Sequence, residues 1–369
     1  MAQLHASCGG GEPGAPVSAA AGDPAFELVH VGTLAQFPEL VAEHGGDADA
    51  LMQAAGIDPA LLTQAAPRAS LRALIDLLER AAVQLHCPDF GLRLAARQGG
   101  GKVFGPMGVV MRNSRTFGQA LRYVAEHNQA YSLAMAIPLE RDRSSQRVFI
   151  GYGILLDSVP YCAQLVEQAI LLAHLNAAES TGGRARAREV WFRHQPLSPL
   201  RTYRDHFGCD VRFGQQADGL FFAEMDMEAP VVDPVSTYYE LATCFIDTHF
   251  PARERPMHAR VRGLVRRQIG VSECRVEHIA DELCVHPRTL HRRLKWEGAT
   301  FEAIKDDVRR DMARYYLEQT SVPVTRIAER LGYAETSVLS RSCLRWFGGP
   351  PRDVRARGRS GAALIQNGQ

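Results

Sequence analysis

Two clusters of side chains in the last third of the chain have the types and spacing to hydrogen-bond nucleic-acid bases. Arg288, Thr289, His291 and Arg292 interleave with Leu290 and Leu294, and Thr336, Ser337, Ser340 and Arg341 interleave with Leu339 and Cys343. If each cluster lies on a helix that turns its apolar residues inward, the polar members share the opposite arc. Arginine is the best bidentate donor to guanine, and Thr, Ser and His reach base edges or phosphate oxygens. The chemistry on offer is recognition rather than bond-making.

Other residues invite catalytic or cofactor readings and fall short. Cys162 with His174, or Cys244 with His249, would need a third orienting group and an oxyanion turn to act as nucleophile and base, and neither is identifiable. Gly99-Gly100-Gly101-Lys102 lacks the spacing of a phosphate loop and reads as a surface loop. Gly151-Tyr152-Gly153 is no dinucleotide fingerprint; within a strand pattern it marks a bulge or a close backbone approach. Met107, Met111 and Met135 suit core packing, with the lining of a small-molecule pocket as the alternative. The eight cysteines (Cys8, Cys87, Cys162, Cys209, Cys244, Cys274, Cys284 and Cys343) form no CxxC pair and no zinc-finger spacing. No catalytic set, metal or cofactor is therefore expected.

Each polar cluster needs a helix to display it, and the sequence supplies one twice. Ile279-Ala280-Asp281-Glu282-Leu283 opens a segment that reaches Leu290, Arg292 and Leu294. About 48 residues later Ile327-Ala328-Glu329-Arg330-Leu331 opens another that reaches Leu339, Arg341 and Cys343. Both copies read as helix-turn-helix units. In the first, Pro287 begins the second helix, where its missing amide has no intrahelical partner to lose. His286 is then the N-cap, weaker than Ser, Thr or Asp, so that this start should lean on tertiary packing. Gly298 closes the helix. In the second unit Gly332 supplies the turn, Tyr333 an aromatic anchor, and Glu335 an acidic group that favours the helix start and can accept from a cytosine amine.

Between the copies, Phe301 to Glu318 reads as a linker helix with one apolar stripe of Ile304, Val308, Met312, Ala313, Tyr316 and Leu317. A separation of about 34 Å, one DNA turn, would let both recognition helices enter successive major grooves. The first arc is richer in cations. It is expected to supply more of the base contacts, and the second more of the positioning and shape readout.

Charge is segregated to match. Residues 252–359 carry 23 Lys and Arg against 14 Asp and Glu, although the 369-residue chain has a net charge of only +1. A basic C-terminal module is the electrostatic footprint of a duplex-binding domain. No stretch of 18 or more apolar residues suggests a membrane span, and no secretory signal opens the chain, so a cytoplasmic location without membrane contact is expected.

Residues 1–24 are rich in Gly, Ala, Pro and Ser and are expected to be disordered. Residues 25–250 read as an α+β domain, because its strands cluster instead of alternating regularly with helices. Its helices are expected at Leu71 to Leu85, from Asp89 toward Ala96, Thr116 to Ala130, Pro160 to Glu179, Pro199 to Phe207 and Pro234 to His249. Strands are expected at Tyr131 to Leu139 and Arg147 to Leu156 around a turn at Asp142 to Ser145, and at Glu189 to Arg193, Val211 to Phe213 and Gly219 to Met225. Residues 251–257 form a linker between prolines, 258–356 an all-α domain of the two units joined by their linker helix, and 357–369 a flexible tail. Arg355, Arg357 and Arg359 read as a loose end that adds weak phosphate attraction.

The segment from about Arg260 to Arg355 resembles the DNA-binding domain of the AraC/XylS family of bacterial transcription regulators. The resemblance rests on Ile279-Ala280...Leu283, Leu290-His291-Arg292-Arg293-Leu294, Arg309...Ala313...Leu317, Ile327-Ala328...Leu331-Gly332-Tyr333 and Arg345-Trp346-Phe347-Gly348-Gly349-Pro350-Pro351. Departures are His286, where the family usually has Ser, and Leu339 and Cys343, where it has Phe; the last two should loosen the second unit. Upstream, Gly105-Pro106-Met107-Gly108 and Ser114-Arg115-Thr116-Phe117-Gly118-Gln119-Ala120-Leu121-Arg122 are similar to the N-terminal effector and dimerisation domain of one subgroup. The resemblance implies a regulator, an activator in the first instance, that binds promoter DNA as a homodimer, contacts RNA polymerase and answers to a small-molecule effector. A constitutive binder with a structural N-terminal domain, and an enzyme tethered to DNA, are the alternatives.

Overall fold

The computed structural model describes residues 25–64, 67–142, 144–159, 161–251 and 255–357. The expectations for residues 1–24, for most of the tail and for the middle of the linker lie outside these residues.

The N-terminal half begins with a two-stranded antiparallel pair, β1 (Leu28–His30) and β2 (Arg68–Ser70), which encloses α1 (Phe37–Glu43) and α2 (Ala48–Ala54). Four helices follow: α3 (Leu71–Gln84), α4 (Phe90–Gln98), α5 (Gly105–Asn113) and α6 (Phe117–Glu126). The caps read from the sequence hold in part. Thr116 accepts from the Gln119 amide at 3.2 Å, whereas Asp89 takes the Cys87 thiol and the Arg93 guanidinium instead of a helix amide. The sheet comprises β3 (Met135–Ala136), β4 (Leu139–Asp142), β5 (Arg147–Ile154), β6 (Glu189–Trp191), β7 (Asp210–Arg212) and β8 (Asp218–Ala223), and only the β6 to β7 pair is parallel. Helix α7 (Ala163–Ser180) crosses it, with α8 (Leu200–Phe207) and α9 (Ser236–His249) alongside.

One expectation for this half needs correction. The strand expected over Tyr131 to Leu139 starts later and is interrupted: β3 and β4 pair with the same side of β5, and Pro138, which has no amide to donate, sits in the break. This explains the Gly151 signal. A Cβ on Gly151 would lie 2.7 Å from the Pro138 ring, so the glycine accommodates a proline and not a ligand. Helices α1, α2 and α5 were not anticipated.

The apolar helical face of α7 meets α4 so closely that a Cβ at Gly91 would lie 2.1 Å from the Gln164 carbonyl. Beside this crossing Glu167 is wholly buried. It accepts from the Tyr203 hydroxyl at 2.7 Å and faces the His194 Nε2 at 3.6 Å. Burial pushes its carboxyl up from 4.5 to about 8. At low pH the group is neutral whether folded or unfolded; as pH rises the unfolded chain ionises first, and stability is lost up to the folded value. Glu167→Gln is therefore expected to flatten the fall of Tm between pH 5 and 8, leaving the variant several degrees more stable than the parent at pH 8. Parallel melting curves across that window would show the idea wrong.

The C-terminal half contains α10 (Met257–Gln268), α11 (Val276–Glu282), α12 (Pro287–Trp296), α13 (Phe301–Gln319), α14 (Val324–Arg330) and α15 (Thr336–Phe347). Helix α13 is the anticipated linker helix. Thr300 caps it from a side-chain oxygen 3.1 Å from the Ala303 amide, and the whole expected stripe is buried, with Phe301 added. The expected tail starts too early. Residues 351–357 are helical, Val354 is buried, and Arg355 donates to the Val322 carbonyl, which places Arg355 and Arg357 in ordered structure; Arg359 lies outside the described residues.

Candidate nucleic-acid interface

The two units close their turns with the same hydrogen bonds. In the first, the Cys284 amide donates to the Asp281 carbonyl at 3.0 Å and the Val285 amide to Ala280 at 3.0 Å. In the second, Gly332 donates to Glu329 at 2.9 Å and Tyr333 to Ala328 at 2.9 Å. The central residue takes a left-handed backbone in both, with φ of 53° at Cys284 and 68° at Gly332. Glycine adopts this freely, whereas a side chain there costs about 1–2 kcal/mol. Because the Cys284 side chain is exposed, Cys284→Gly is expected to stabilise the chain by about 0.5–1 kcal/mol once the extra unfolded-state freedom of glycine is subtracted. A urea midpoint that fell would refute this.

Helix α12 begins at Pro287 as read. His286 does more than the sequence suggested, since its Nδ1 accepts from the Arg288 amide at 3.2 Å and so caps the helix itself. Leu290 and Leu294 are wholly buried; Arg288, His291 and Arg292 are exposed and Thr289 is half-buried. The Arg292 guanidinium lies 5.2 Å from the centre of the Trp296 ring, itself 70% exposed. Lys295 and Trp296 extend this arc by one turn. Continuing the helical count from Arg292 would have found them.

On α15, Ser337 and Arg341 are exposed and Thr336 and Ser340 half-buried. The hydroxyls are engaged locally: Ser337 donates to Glu335 at 2.9 Å and Ser340 to the Thr336 carbonyl at 3.1 Å. Leu339 and Cys343 are both fully buried, so the smaller residues still fill the second unit's core. Thus all eight polar residues reach the surface in two groups, and the asymmetry of charge between the arcs persists.

The scaffold holding these arcs was not legible in advance. Glu297, just past α12, accepts from the Met257 and His258 amides at 2.7 Å each and from the His258 ring at 2.8 Å, capping α10. Burial pushes its carboxyl up, but these donors outweigh that and hold it below the ordinary range. From α13, Arg309 donates to the Leu331 carbonyl at 3.0 Å and covers the Tyr333 ring at 4.5 Å, clamping the second turn. Asp306 holds α15 by accepting from Arg345 and, at 2.9 Å, from the Trp346 indole.

The catalytic alternatives find no such support. Burial pushes the Cys162 thiol up to about 12, and His174 lies three helical turns farther along α7. The Gly100 amide is occupied by the Glu179 carboxylate at 3.0 Å, where a phosphate would meet repulsion. Met107 and Met111 join the core between α5 and α9, and Met107 also borders an apolar cavity of about 70 Å³. Among the described residues no helix is long and apolar enough to cross a membrane, and no group of His, Cys, Asp or Glu is arranged to hold a metal.

Paired helix-turn-helix units on a basic helical scaffold, preceded by an α+β domain, define a helix-turn-helix transcription regulator. The family described as the arabinose-binding domain of AraC transcription regulator, N-terminal, matches residues 45–231, and a helix-turn-helix domain family matches residues 279–357. The regulator VirS of Mycobacterium tuberculosis is 34% identical over 331 residues, covering 90% of this chain and 97% of VirS. The ornithine utilization regulator of Pseudomonas aeruginosa is 27% identical, covering 89% and 96%. The crystal structure of the regulator CdpR from Pseudomonas aeruginosa aligns at 21% identity and a TM-score of 0.40, covering 84% of this chain and 96% of that one. The chain belongs to the AraC/XylS family of transcription regulators.

Proposed function

We propose that this protein is a promoter-binding activator, controlled by a small-molecule effector, that reads DNA with Arg288, Thr289, His291 and Arg292 in one half-site and Thr336, Ser337, Ser340 and Arg341 in the other. The observation that carries this reading is the pair of matched turns, each presenting an exposed helical arc from a common scaffold. The sensing region spans 25–250 and the DNA-binding region 258–356, with α9 ending at His249 and α10 beginning at Met257. Contacts between the regions support effector control over a constitutive binder. The buried Arg262 of α10 meets Asp157 at 2.6 Å, Arg267 meets Glu140 at 3.3 Å, and Arg310 donates to the Ser158 hydroxyl at 3.2 Å. A ligand with different affinity for docked and undocked arrangements would shift their populations.

A second copy is the proposed partner for α9, which exposes Tyr238, Leu241 and Phe245 at helical spacing. RNA polymerase is the proposed partner at the promoter, and the cytoplasm the proposed location. Genome-wide mapping of DNA occupancy, with and without a panel of metabolites, tests the reading. Discrete promoter sites whose occupancy changes with one metabolite are expected; uniform, sequence-independent occupancy would overturn it.

A further inference from the structure

A cavity of about 100 Å³ lies between the two regions. One wall comes from the segment entering α7, the end of β6 and the start of β8; the other comes from α10 and α13. Each wall supplies a guanidinium, Arg193 from the sensing region and Arg266 from the DNA-binding region. Neither forms an ion pair among the described residues. The Arg193 Nε is buried without a hydrogen-bond partner, and its guanidinium rests 5.7 Å from the centre of the Tyr315 ring. Burial, and then the charge of Arg193, bring Arg266 down to about 10 against the smaller opposing pull of Asp311 and Asp218, while Asp218 holds Arg193 up.

The cavity also presents the opposite charge. Asp218 accepts from the Arg193 backbone amide at 2.7 Å, and Asp311 and Glu318 on α13 are both raised by burial. Among the described residues Asp311 meets Arg310 at 3.8 Å, and Arg266 and Arg262 also pull its carboxyl down against burial. At the rim, Arg314 turns its guanidinium over Phe347. Underpaired groups of both signs face one small space. A simple anion would satisfy the arginines and be repelled by the carboxylates, whereas a molecule carrying both charges satisfies each set. Size narrows the class: a cavity of about 150 Å³ admits the six heavy atoms of benzene, so one of about 100 Å³ takes a ligand of at most about half a dozen.

We propose that this interdomain cavity binds a small amino acid, its carboxylate bridging Arg193 and Arg266 and its ammonium facing Asp311 and Glu318. The site is complete only when the two regions are docked, so the ligand favours that arrangement and thereby alters DNA binding. The inference rests on the proposed effector control and gives it a place and a chemistry.

Calorimetry and melting of the full chain with glycine, L-alanine and β-alanine, against propionate and ethylammonium as single-charge controls, test the assignment. At least one amino acid is expected to bind and raise Tm, with propionate and ethylammonium at least tenfold weaker. Arg193→Gln and Arg266→Gln are each expected to weaken that binding at least tenfold. Circular dichroism and operator binding without ligand establish that these variants are folded, and Asp311→Asn provides a third arm that should lose the amino acid's advantage over propionate. The assignment is overturned if no amino acid binds, if propionate binds equally well, or if folded variants bind like the parent. A metabolite response in operator binding that survives in both arginine variants would leave effector control standing and refute only this site.

Discussion

Replacing Arg292 by alanine is expected to weaken binding to a specific operator about 5- to 150-fold, or about 1–3 kcal/mol, and to relax preference at one base pair. The side chain is exposed, and what holds it is the Trp296 ring at 5.2 Å. Such a contact is worth about 0.5–1 kcal/mol at an exposed site, enough to orient the guanidinium while leaving its donors available. Lysine cannot reproduce a bidentate fork, so Arg292→Lys should recover phosphate attraction without base preference. Arg341→Ala should act in the same way on the other half-site. Since the two arcs sit on separate helices, their losses should add within a few tenths of a kcal/mol. Tm should fall by no more than a few degrees in Arg292→Ala, which loses the Trp296 contact, and stay unchanged in Arg341→Ala. A footprinting titration in which neither variant altered affinity or base preference would show that α12 and α15 are not the reading helices.

How well the sequence foretold these features depended on whether the signal was local. The helical region was legible because its repeat and its apolar spacing at Ile279, Leu290, Ile327 and Leu339 are properties of short windows. The polar arcs followed from the same count. The N-terminal half was legible only in its longer helices and central strands. Helix α5 escaped because Gly105, Pro106 and Gly108 all have low helix propensity; tertiary packing wins there, as a Cβ on Gly108 would lie 2.0 Å from the Gly101 carbonyl. Glu297 and the pair Arg193 and Arg266 carry no local signal at all. Their partners or companions lie about 40 and 73 residues away, and only the fold brings them together.

Gly270→Ala is expected to weaken DNA binding by a different route, through destabilisation of the helical region rather than loss of a base contact. Gly270 follows α10 with φ of 80°, where a side chain costs about 1–2 kcal/mol. The added Cβ would also lie 2.3 Å from the Arg330 carbonyl at the end of α14, and relieving such backbone overlap costs about 1–3 kcal/mol more. The sum, about 2–5 kcal/mol, is a large share of the 5–15 kcal/mol typical of a folded domain. Gly298 provides the control within the same region. Its φ is 70° and nothing lies within 4 Å of a Cβ built there, so Gly298→Ala should lose only the backbone part. Urea denaturation of the two variants therefore separates the terms: a much lower midpoint for Gly270→Ala identifies the contact between α10 and α14 as the joint that seats the second unit. Equal midpoints would mean that the joint yields freely and that the second unit is seated by its apolar core with Arg309 and Asp306. Arg292→Ala, with a midpoint close to the parent's and weakened binding, marks the opposite case, in which the fold survives and only the reading of DNA is lost.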